Sequence, residues 1–274
     1  MRTGGLFFSA FLLLAFVFSS ASHALELEGN LIQGGFVVGS GEPGMEVFLD
    51  GEAVMVGEDG RFVFGFGRNA AASAALKVVY SDGRVHAQTL DIAEQVYDIE
   101  RVDGLPPRTV TIPEEEKIRR AKERAMVAEA RAPFTGAYDW AGGFSRPAEG
   151  RLSGFYGSQR ILNGEPRWPH YGLDIAAPTN TPVKAPAGGV VRLAEQDFLL
   201  EGGIIIIDHG FGVSSTLMHL ASVKVEPGQR VEKGDVVGGL GATGRATGPH
   251  VDWRVNWGSV RLDPALLLEA AARE

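Results

Sequence analysis

Short apolar segments separated by tight turns dominate residues 25 to 98. Segments 46–49, 61–64 and 76–80 are rich in valine, leucine and phenylalanine, which favour strands. Turn sequences built from glycine, aspartate and proline separate them, as at 41–44. This spacing is typical of a small β-sandwich, and we predict one over residues 25–104.

The pattern changes between residues 105 and 134, where charged residues and alanine replace the apolar segments. Thr111, Pro113 and Glu114 predict a helix start, with Thr111 as the N-cap and Glu114 as the capping-box acid. Few large apolar residues follow, so we predict a linker with a solvated charged helix. A regulatory arm that covers an active site remains an alternative.

Residues 135–274 are again glycine-rich and β-like. Residues 203–208, with four consecutive isoleucines, predict a strand that is buried on both faces. Stretches 182–191 and 229–238 each place a short strand, a turn and another strand in the same order. The sequence therefore predicts a mainly β fold, with a second β-sandwich or barrel made of two similar halves.

The first 24 residues have the pattern of an export signal. Arg2 is their only charged residue, and the mostly apolar run that follows, residues 6–18, is shorter than the about 20 residues that a membrane-spanning helix needs. Ser22 and Ala24 suit cleavage by signal peptidase. We therefore predict a signal peptide over 1–24, an exported protein that is periplasmic or secreted, and no integral membrane segment; an uncleaved anchor is the alternative.

Composition narrows the chemistry. The chain has no cysteine, which excludes disulfides, thiolate ligands and a thiol nucleophile. Its net charge of −8 argues against binding to nucleic acid and against electrostatic docking on anionic lipid.

The strongest chemical signal is the position of the histidines. Four of the six lie between 170 and 250, namely His170, His209, His219 and His250. Asp174 follows His170 in a glycine-containing segment, so both side chains can point into one pocket. Imidazole and carboxylate are both zinc ligands.

A second pair, His250 and Asp252, has the spacing that places both side chains on one face of a strand. His219 follows a predicted strand over 213–218 and can lie at the wall of the same pocket. Together these residues predict a metal hydrolase site with an open position for water.

Several motifs in this order resemble those of the lysostaphin-type (LytM-like) zinc endopeptidases, which act on bacterial peptidoglycan. They are His170-Tyr171-Gly172-Leu173-Asp174, Ala177-Pro178 with Ala185-Pro186, Asp208-His209-Gly210, Met218-His219-Leu220, and Gly244 to His250. The resemblance covers roughly 150–265 and implies a duplicated β-sandwich-like fold, in agreement with the internal repeat.

The resemblance implies a role for each matched position. His170 and Asp174 would bind zinc, and His219 and His250 would be catalytic. Asp252 stands where the family has a third histidine ligand, so the implied site is His/Asp/Asp, with manganese as an alternative metal.

Two more residues receive roles beside that site. Arg245, in a glycine-rich loop, is predicted to bind substrate. His209 is interpreted as a turn residue that is hydrogen-bonded near the site.

The implied substrate is a peptide stem or cross-link of peptidoglycan. The alternative is a metal-free regulator that binds and activates a cell-wall amidase, so an envelope amidase or a divisome protein is a candidate partner. A phosphocarrier or biotinyl-type domain is a third interpretation, and the export signal argues against it.

Overall fold

The computed structural model describes residues 24–102, 114–162 and 164–268. They form a mainly β protein with 46% strand and 11% helix, as the sequence predicted. Nearly all of the predicted signal peptide, and the predicted cap residues Thr111 and Pro113, lie outside the described residues. No helix in the described part of the chain has the length and apolarity that crossing a membrane requires.

The described strands, in chain order, are β1 (Glu26–Gly29), β2 (Phe36–Ser40), β3 (Glu46–Leu49), β4 (Glu52–Val54), β5 (Arg61–Gly65), β6 (Ser73–Val79), β7 (Val85–Asp91), β8 (Ile99–Val102), β9 (Arg151–Gly154), β10 (Gln159–Leu162), β11 (Glu165–Pro166), β12 (Leu173–Ala176), β13 (Pro182–Lys184), β14 (Gly189–Phe198), β15 (Gly202–Gly210), β16 (Val213–Leu220), β17 (Ser222–Val223), β18 (Arg230–Val231), β19 (Val236–Gly239), β20 (His250–Trp257) and β21 (Val260–Leu262). The α-helices are α1 (Lys117–Arg131) and the short α2 (Pro264–Leu267).

The N-terminal strands form two small sheets around one apolar core. Their orders are β1-β2-β5 and β4-β3-β6-β7. Phe62, Phe64, Leu76 and Val78 are almost fully buried between them. The alternation in β6, exposed then buried throughout, shows why the sequence pattern marked this segment as a strand.

A larger sheet of eight strands forms the centre of the C-terminal part, in the order β18-β14-β15-β16-β20-β12-β9, with β21 on the side of β20. All nine residues of β15 are buried, as the isoleucine run predicted. One face of the sheet carries Ile205, Ile207, Leu217 and Trp253 into the main apolar core. We call this the core face.

The two related stretches are interleaved. β13, from the first stretch, pairs with β19, from the second, while β18 of the second pairs with β14 at the end of the first. Each stretch therefore completes the other, which agrees with the internal repeat seen in the sequence.

Most residues of helix α1 are exposed, as a solvated helix requires, but one side of the helix packs against the rest of the protein. It packs on the opposite side of the eight-stranded sheet, against β14 and β15, where Ala130 lies in a small apolar cluster with Ile204, Ile206 and Met218. Glu123 is buried as well, and its carboxylate accepts a hydrogen bond of 2.8 Å from the Leu199 N–H. Polar contacts such as this one hold much of the helix in place. A pattern of apolar residues along the helix does not predict them.

Candidate metal centre

Two neighbouring strands carry the acidic residues of the site. In the antiparallel pair β12 and β20, Asp174 lies directly opposite Asp252. Residues alternate between faces, so Leu173 and Trp253 enter the core while both carboxylates point the other way. We call the face of the sheet that carries the carboxylates the site face. Helix α1 packs on this same side of the sheet.

His170 reaches this pair from the segment just before β12. Gly172, two residues later, is packed so closely that a Cβ atom there would collide with the Asp252 carboxylate. Only glycine lets the chain pass at this distance, so Gly172 sets how near His170 comes to the strand pair.

The three side chains converge on one point. His170 Nε2 lies 3.1 Å from Asp174 Oδ1, and His170 Nδ1 lies 4.0 Å from Asp252 Oδ2. One ligand atom from each residue falls within 4.8 Å of the others. His170 Nε2 and Asp174 Oδ1 are both buried, yet neither has a hydrogen-bond partner of suitable geometry among the described residues. Two ligand atoms that face each other at 3.1 Å, with no other partner among the described residues, are typical of ligands that share a cation.

Asp252 differs from the other two residues because it is held by Arg254. Arg254 Nη2 lies 2.6 Å from Asp252 Oδ2, and Nε lies 3.1 Å from each carboxylate oxygen. Asp252 is only 2% exposed. This charge-assisted pair fixes the orientation of the carboxylate and satisfies it in the absence of another cation.

The electrostatics follow from burial and charge. Burial alone would raise the pKa of Asp252, but Arg254 and His170 outweigh it and hold that pKa below its usual value. For His170, burial alone would lower the pKa, yet Asp174 and Asp252 raise it overall. The raised pKa of His170 reflects the negative potential of the two carboxylates, which favours a cation, whereas the lowered pKa of Asp252 reflects the positive charges of Arg254 and His170.

His219 and His250 stand beside this cluster with their rings 4.8 Å apart. His219 Nδ1 lies 2.9 Å from the Thr243 carbonyl oxygen, and His250 Nδ1 lies 2.8 Å from that of Gly248. A carbonyl oxygen can only accept, so each Nδ1 carries the proton and each neutral ring keeps its lone pair on Nε2. His250 Nε2 lies 3.9 Å from Asp174 Oδ2.

The backbone at His219 has an unusual conformation. This residue lies at the end of β16 with φ of 65°, a region that costs free energy for any residue except glycine. Its N–H donates to the Glu201 carbonyl, which holds it there. Burial lowers the pKa of His219, so the ring is neutral near pH 7 and can accept a proton at Nε2.

The other two sequence predictions have different outcomes. His209 is not in a turn: it is a fully buried residue of β15. It lies between the Gly188 carbonyl oxygen, 2.5 Å from Nδ1, and the Ser215 hydroxyl, 2.8 Å from Nε2. Arg245 is exposed in the loop before β20, where its N–H donates to Leu200. Its role in substrate binding stays a prediction.

Sequence reasoning missed Arg254 as a functional residue. The spacing that placed His250 and Asp252 on one strand face also places Arg254 there, since it is two residues further along. That signal was present, and only the pairing of Asp252 with Arg254 needed the structure.

The donor set fits a divalent cation. His170 and Asp174 offer buried atoms without partners, and a carboxylate oxygen has a second lone pair for a metal beside its bond to Arg254. The Asp252–Arg254 pair has no net charge, as a neutral histidine ligand would have none. A His/Asp/Asp site with this arginine therefore has the same net charge as a His/Asp/His site.

Comparison with known proteins gives consistent findings. The family model "Peptidase family M23" matches residues 168–264, which include all five predicted metal and catalytic residues. The crystal structure of a candidate M23 peptidase from Pseudomonas aeruginosa is 32% identical, with a TM-score of 0.66. The alignment covers 87% of this chain and 95% of that one.

Curated relatives match over a shorter segment. Peptidoglycan DD-endopeptidase ShyA of Vibrio cholerae is 37% identical over 87 residues, which are 32% of this chain and 20% of that protein. The DD-carboxypeptidase/endopeptidase Mpg of Neisseria meningitidis is 39% identical over 89 residues, again 32% of this chain and 20% of that protein. The chain thus spans about a fifth of the length of these relatives.

Proposed function

Because the chain belongs to peptidase family M23, we propose that it is an exported, metal-dependent endopeptidase that hydrolyses peptide bonds of peptidoglycan. The observation that carries the proposal is the convergence of His170, Asp174 and Asp252, with two buried ligand atoms that lack partners. The names of the two curated relatives support the substrate class.

His170, Asp174 and Asp252 would hold the metal, with zinc as the expected ion and manganese as the alternative. Lewis-acid chemistry supplied by the ion would polarise the scissile carbonyl and ease deprotonation of the attacking water. Arg254 would keep the Asp252 carboxylate oriented and would offset its charge.

His219 would be the general base. Its Nδ1 proton is committed to Thr243, and its lowered pKa leaves Nε2 ready to take a proton from water. His250, with Nε2 near Asp174, would hydrogen-bond the oxygen that becomes negative in the tetrahedral intermediate, once its Nε2 carries a proton. The short distance between the two rings would allow both to act on one carbonyl group.

The location, the partners and the role of Arg245 follow from the proposed substrate. We propose a periplasmic or secreted location and peptidoglycan as the principal partner, with Arg245 in contact with the peptide. An envelope amidase or divisome protein is a further candidate partner.

The test measures metal content and hydrolysis together. Zinc and manganese per chain would be determined for the purified protein and for Asp252→Ala, with Asp91→Ala as control because Asp91 is an exposed aspartate on β7. We expect about one metal ion per chain in the wild type and in the control, and a sharp reduction in Asp252→Ala. The wild type and Asp91→Ala should release new peptide termini from purified sacculi, and Asp252→Ala should release far fewer.

Other results would overturn the proposal. A wild-type protein without metal after incubation with excess zinc, and without new peptide ends, would favour the amidase-activating alternative. Full metal content in Asp252→Ala would show that Asp252 is not a ligand. In that case the digestion of sacculi alone would decide whether the protein is an endopeptidase.

A further inference from the structure

A basic cleft lies between helix α1 and the site face of the sheet. It has a volume of about 270 Å³. Its walls carry five arginines and a single acidic residue, Glu201, although the whole chain has a net charge of −8. The arginines are Arg120, Arg124, Arg131, Arg254 and Arg261.

Two of these arginines are already paired. Arg120 binds Glu201 through both carboxylate oxygens, at 2.7 and 2.8 Å, and Arg254 binds Asp252. Among the described residues, no carboxylate forms an ion pair with Arg124, Arg131 or Arg261. The cleft therefore keeps an excess of about three positive charges.

Arg131 shows that this excess has a cost. Its Nη2 donates to the Thr216 hydroxyl at 2.7 Å, whereas its Nε is buried without a partner in the described structure. Burial, together with the nearby Arg254 and Arg261, lowers the pKa of Arg131 to about 10. A buried guanidinium with an unused donor, beside two others, is a site prepared for an anion.

The cleft adjoins the metal centre on two sides. Arg254 reaches from the cleft to Asp252. Arg261 lies 4.3 Å from the centre of the Tyr171 ring, and Tyr171 follows His170 in the chain. Arg254 and Arg261 therefore connect the cleft to residues of the metal centre.

We propose that this cleft binds a carboxylate of the peptide substrate, so that helix α1 forms one wall of the substrate-binding site. Guanidinium groups bind carboxylates through paired hydrogen bonds, and Arg131 supplies an unused donor for one. Val127, Ile204 and Met218 provide an apolar floor that suits a small aliphatic side chain such as that of alanine. The proposal rests on the proposed peptidase function for the choice of a peptide.

The experiment compares two probes on the protein as purified: N-acetyl-D-alanyl-D-alanine with a free carboxylate, and the same peptide as its C-terminal amide. Calorimetric or NMR titration gives a Kd for each, with no requirement for hydrolysis. We expect the free acid to bind about tenfold more tightly than the amide, as for a charge-assisted hydrogen bond. N-acetyl-glutamyl amide, with its carboxylate on the side chain, tests the other source of this group.

Variants locate the effect. Arg131→Met and Arg124→Met should each weaken binding of the acid about three- to tenfold and leave the Kd of the amide unchanged. Arg84→Met is the control, because it removes one positive charge from an exposed position in the N-terminal part. Arg124 is exposed, so its variant remains informative if Arg131→Met does not fold.

The outcomes separate this inference from the peptidase proposal. Equal affinity for the acid and the amide, or unchanged acid binding in both cleft variants, would overturn the carboxylate site even if sacculi are digested. Selective acid binding that the cleft variants abolish would support the site even in a protein that cleaves nothing. Tighter binding of the glutamyl probe would move the carboxylate to a side chain of the substrate and support the same cleft.

Discussion

Two histidines, one on each face of the eight-stranded sheet, are held in different ways. On the core face, both ring nitrogens of His209 have partners, and Ser215 also accepts a hydrogen bond of 3.1 Å from Trp253. On the site face, His170 Nε2 and Asp174 Oδ1 lie 3.1 Å from each other and have no hydrogen bond of suitable geometry to another described group. Because buried polar groups without full hydrogen bonding cost free energy, their convergence with Asp252 on one point favours a cation that completes the arrangement.

One strand serves both faces. Along β20, Val251, Trp253 and Val255 are fully buried in the core, while Asp252 and Arg254 alternate with them on the other side. Stability and chemistry are therefore assigned to alternate residues of one segment, and substitutions at neighbouring positions should have different consequences.

The largest effect is expected at Asp174. Asp174→Asn removes a charged ligand and should reduce metal affinity and hydrolysis by more than the about 10- to 100-fold that loss of a ligand's hydrogen-bond partner costs. The free energy of unfolding of the metal-free protein should also fall, because the Asp174 carboxylate no longer pairs with His170 Nε2. Metal analysis, sacculus digestion and denaturant unfolding would be measured together. Retention of one metal ion per chain would contradict this assignment.

Trp253→Ala tests the core face. Removal of a fully buried indole should lower the free energy of unfolding by about 3–5 kcal/mol. Trp168→Ala is the matched control: Trp168 is 88% exposed, so its loss should change stability by less than about 0.5 kcal/mol. Similar losses in the two variants would show that the apolar core does not dominate the stability of this region.

His209→Leu separates a structural histidine from the two that we propose to be catalytic. The Gly188 carbonyl and the Ser215 hydroxyl would each lose a partner, which should cost about 1–3 kcal/mol of unfolding free energy. Metal content should stay at the wild-type value, because His209 lies on the core face. Loss of metal at unchanged stability would show that His209 serves the metal centre and has no structural role in the core.

The smallest effect concerns Tyr97, whose hydroxyl is also buried without a partner in the described structure but faces no group of convergent ligands. Burial raises its pKa from 10.0 to about 12. Because the folded-state pKa is the higher one, its contribution to stability is present below pH 10 and is lost as the pH rises towards 12.

Tyr97→Phe should therefore flatten the decline of stability between pH 10 and 12. At neutral pH it should raise the free energy of unfolding by no more than about 1 kcal/mol. Unfolding curves at several pH values would measure both. A large loss of stability at pH 7 would show that the hydroxyl has a partner after all.

Local pattern predicted much of the fold. Strands β3, β5 and β15 follow from runs of β-branched and aromatic residues with clear turns at their ends, and the interleaved pairing of β13 with β19 agrees with the repeat. The packing of α1 could not be predicted in the same way. Its contacts with the sheet depend on Glu123 and Arg131, and charged residues usually indicate a solvated face.

The candidate site was predicted from motif resemblance more than from pattern. Spacing placed His250 and Asp252 on one strand face, which the structure shows. The approach of His170 depends on Gly172 and on a strand pairing between residues far apart in sequence. Such long-range proximity cannot be derived from local residue types, and the same limit applies to the cleft between α1 and the sheet.

The pairing of Asp174 with Asp252 also constrains when the site can form during synthesis. The two residues are separated by most of the C-terminal sheet, and β20 must pair with both β12 and β16 before all three ligands meet. Contacts of such high sequence separation form late in folding. A nascent chain that has not yet emerged to residue 257 has the histidine and the first aspartate but no assembled centre, so the three candidate ligands come together in one step rather than gradually.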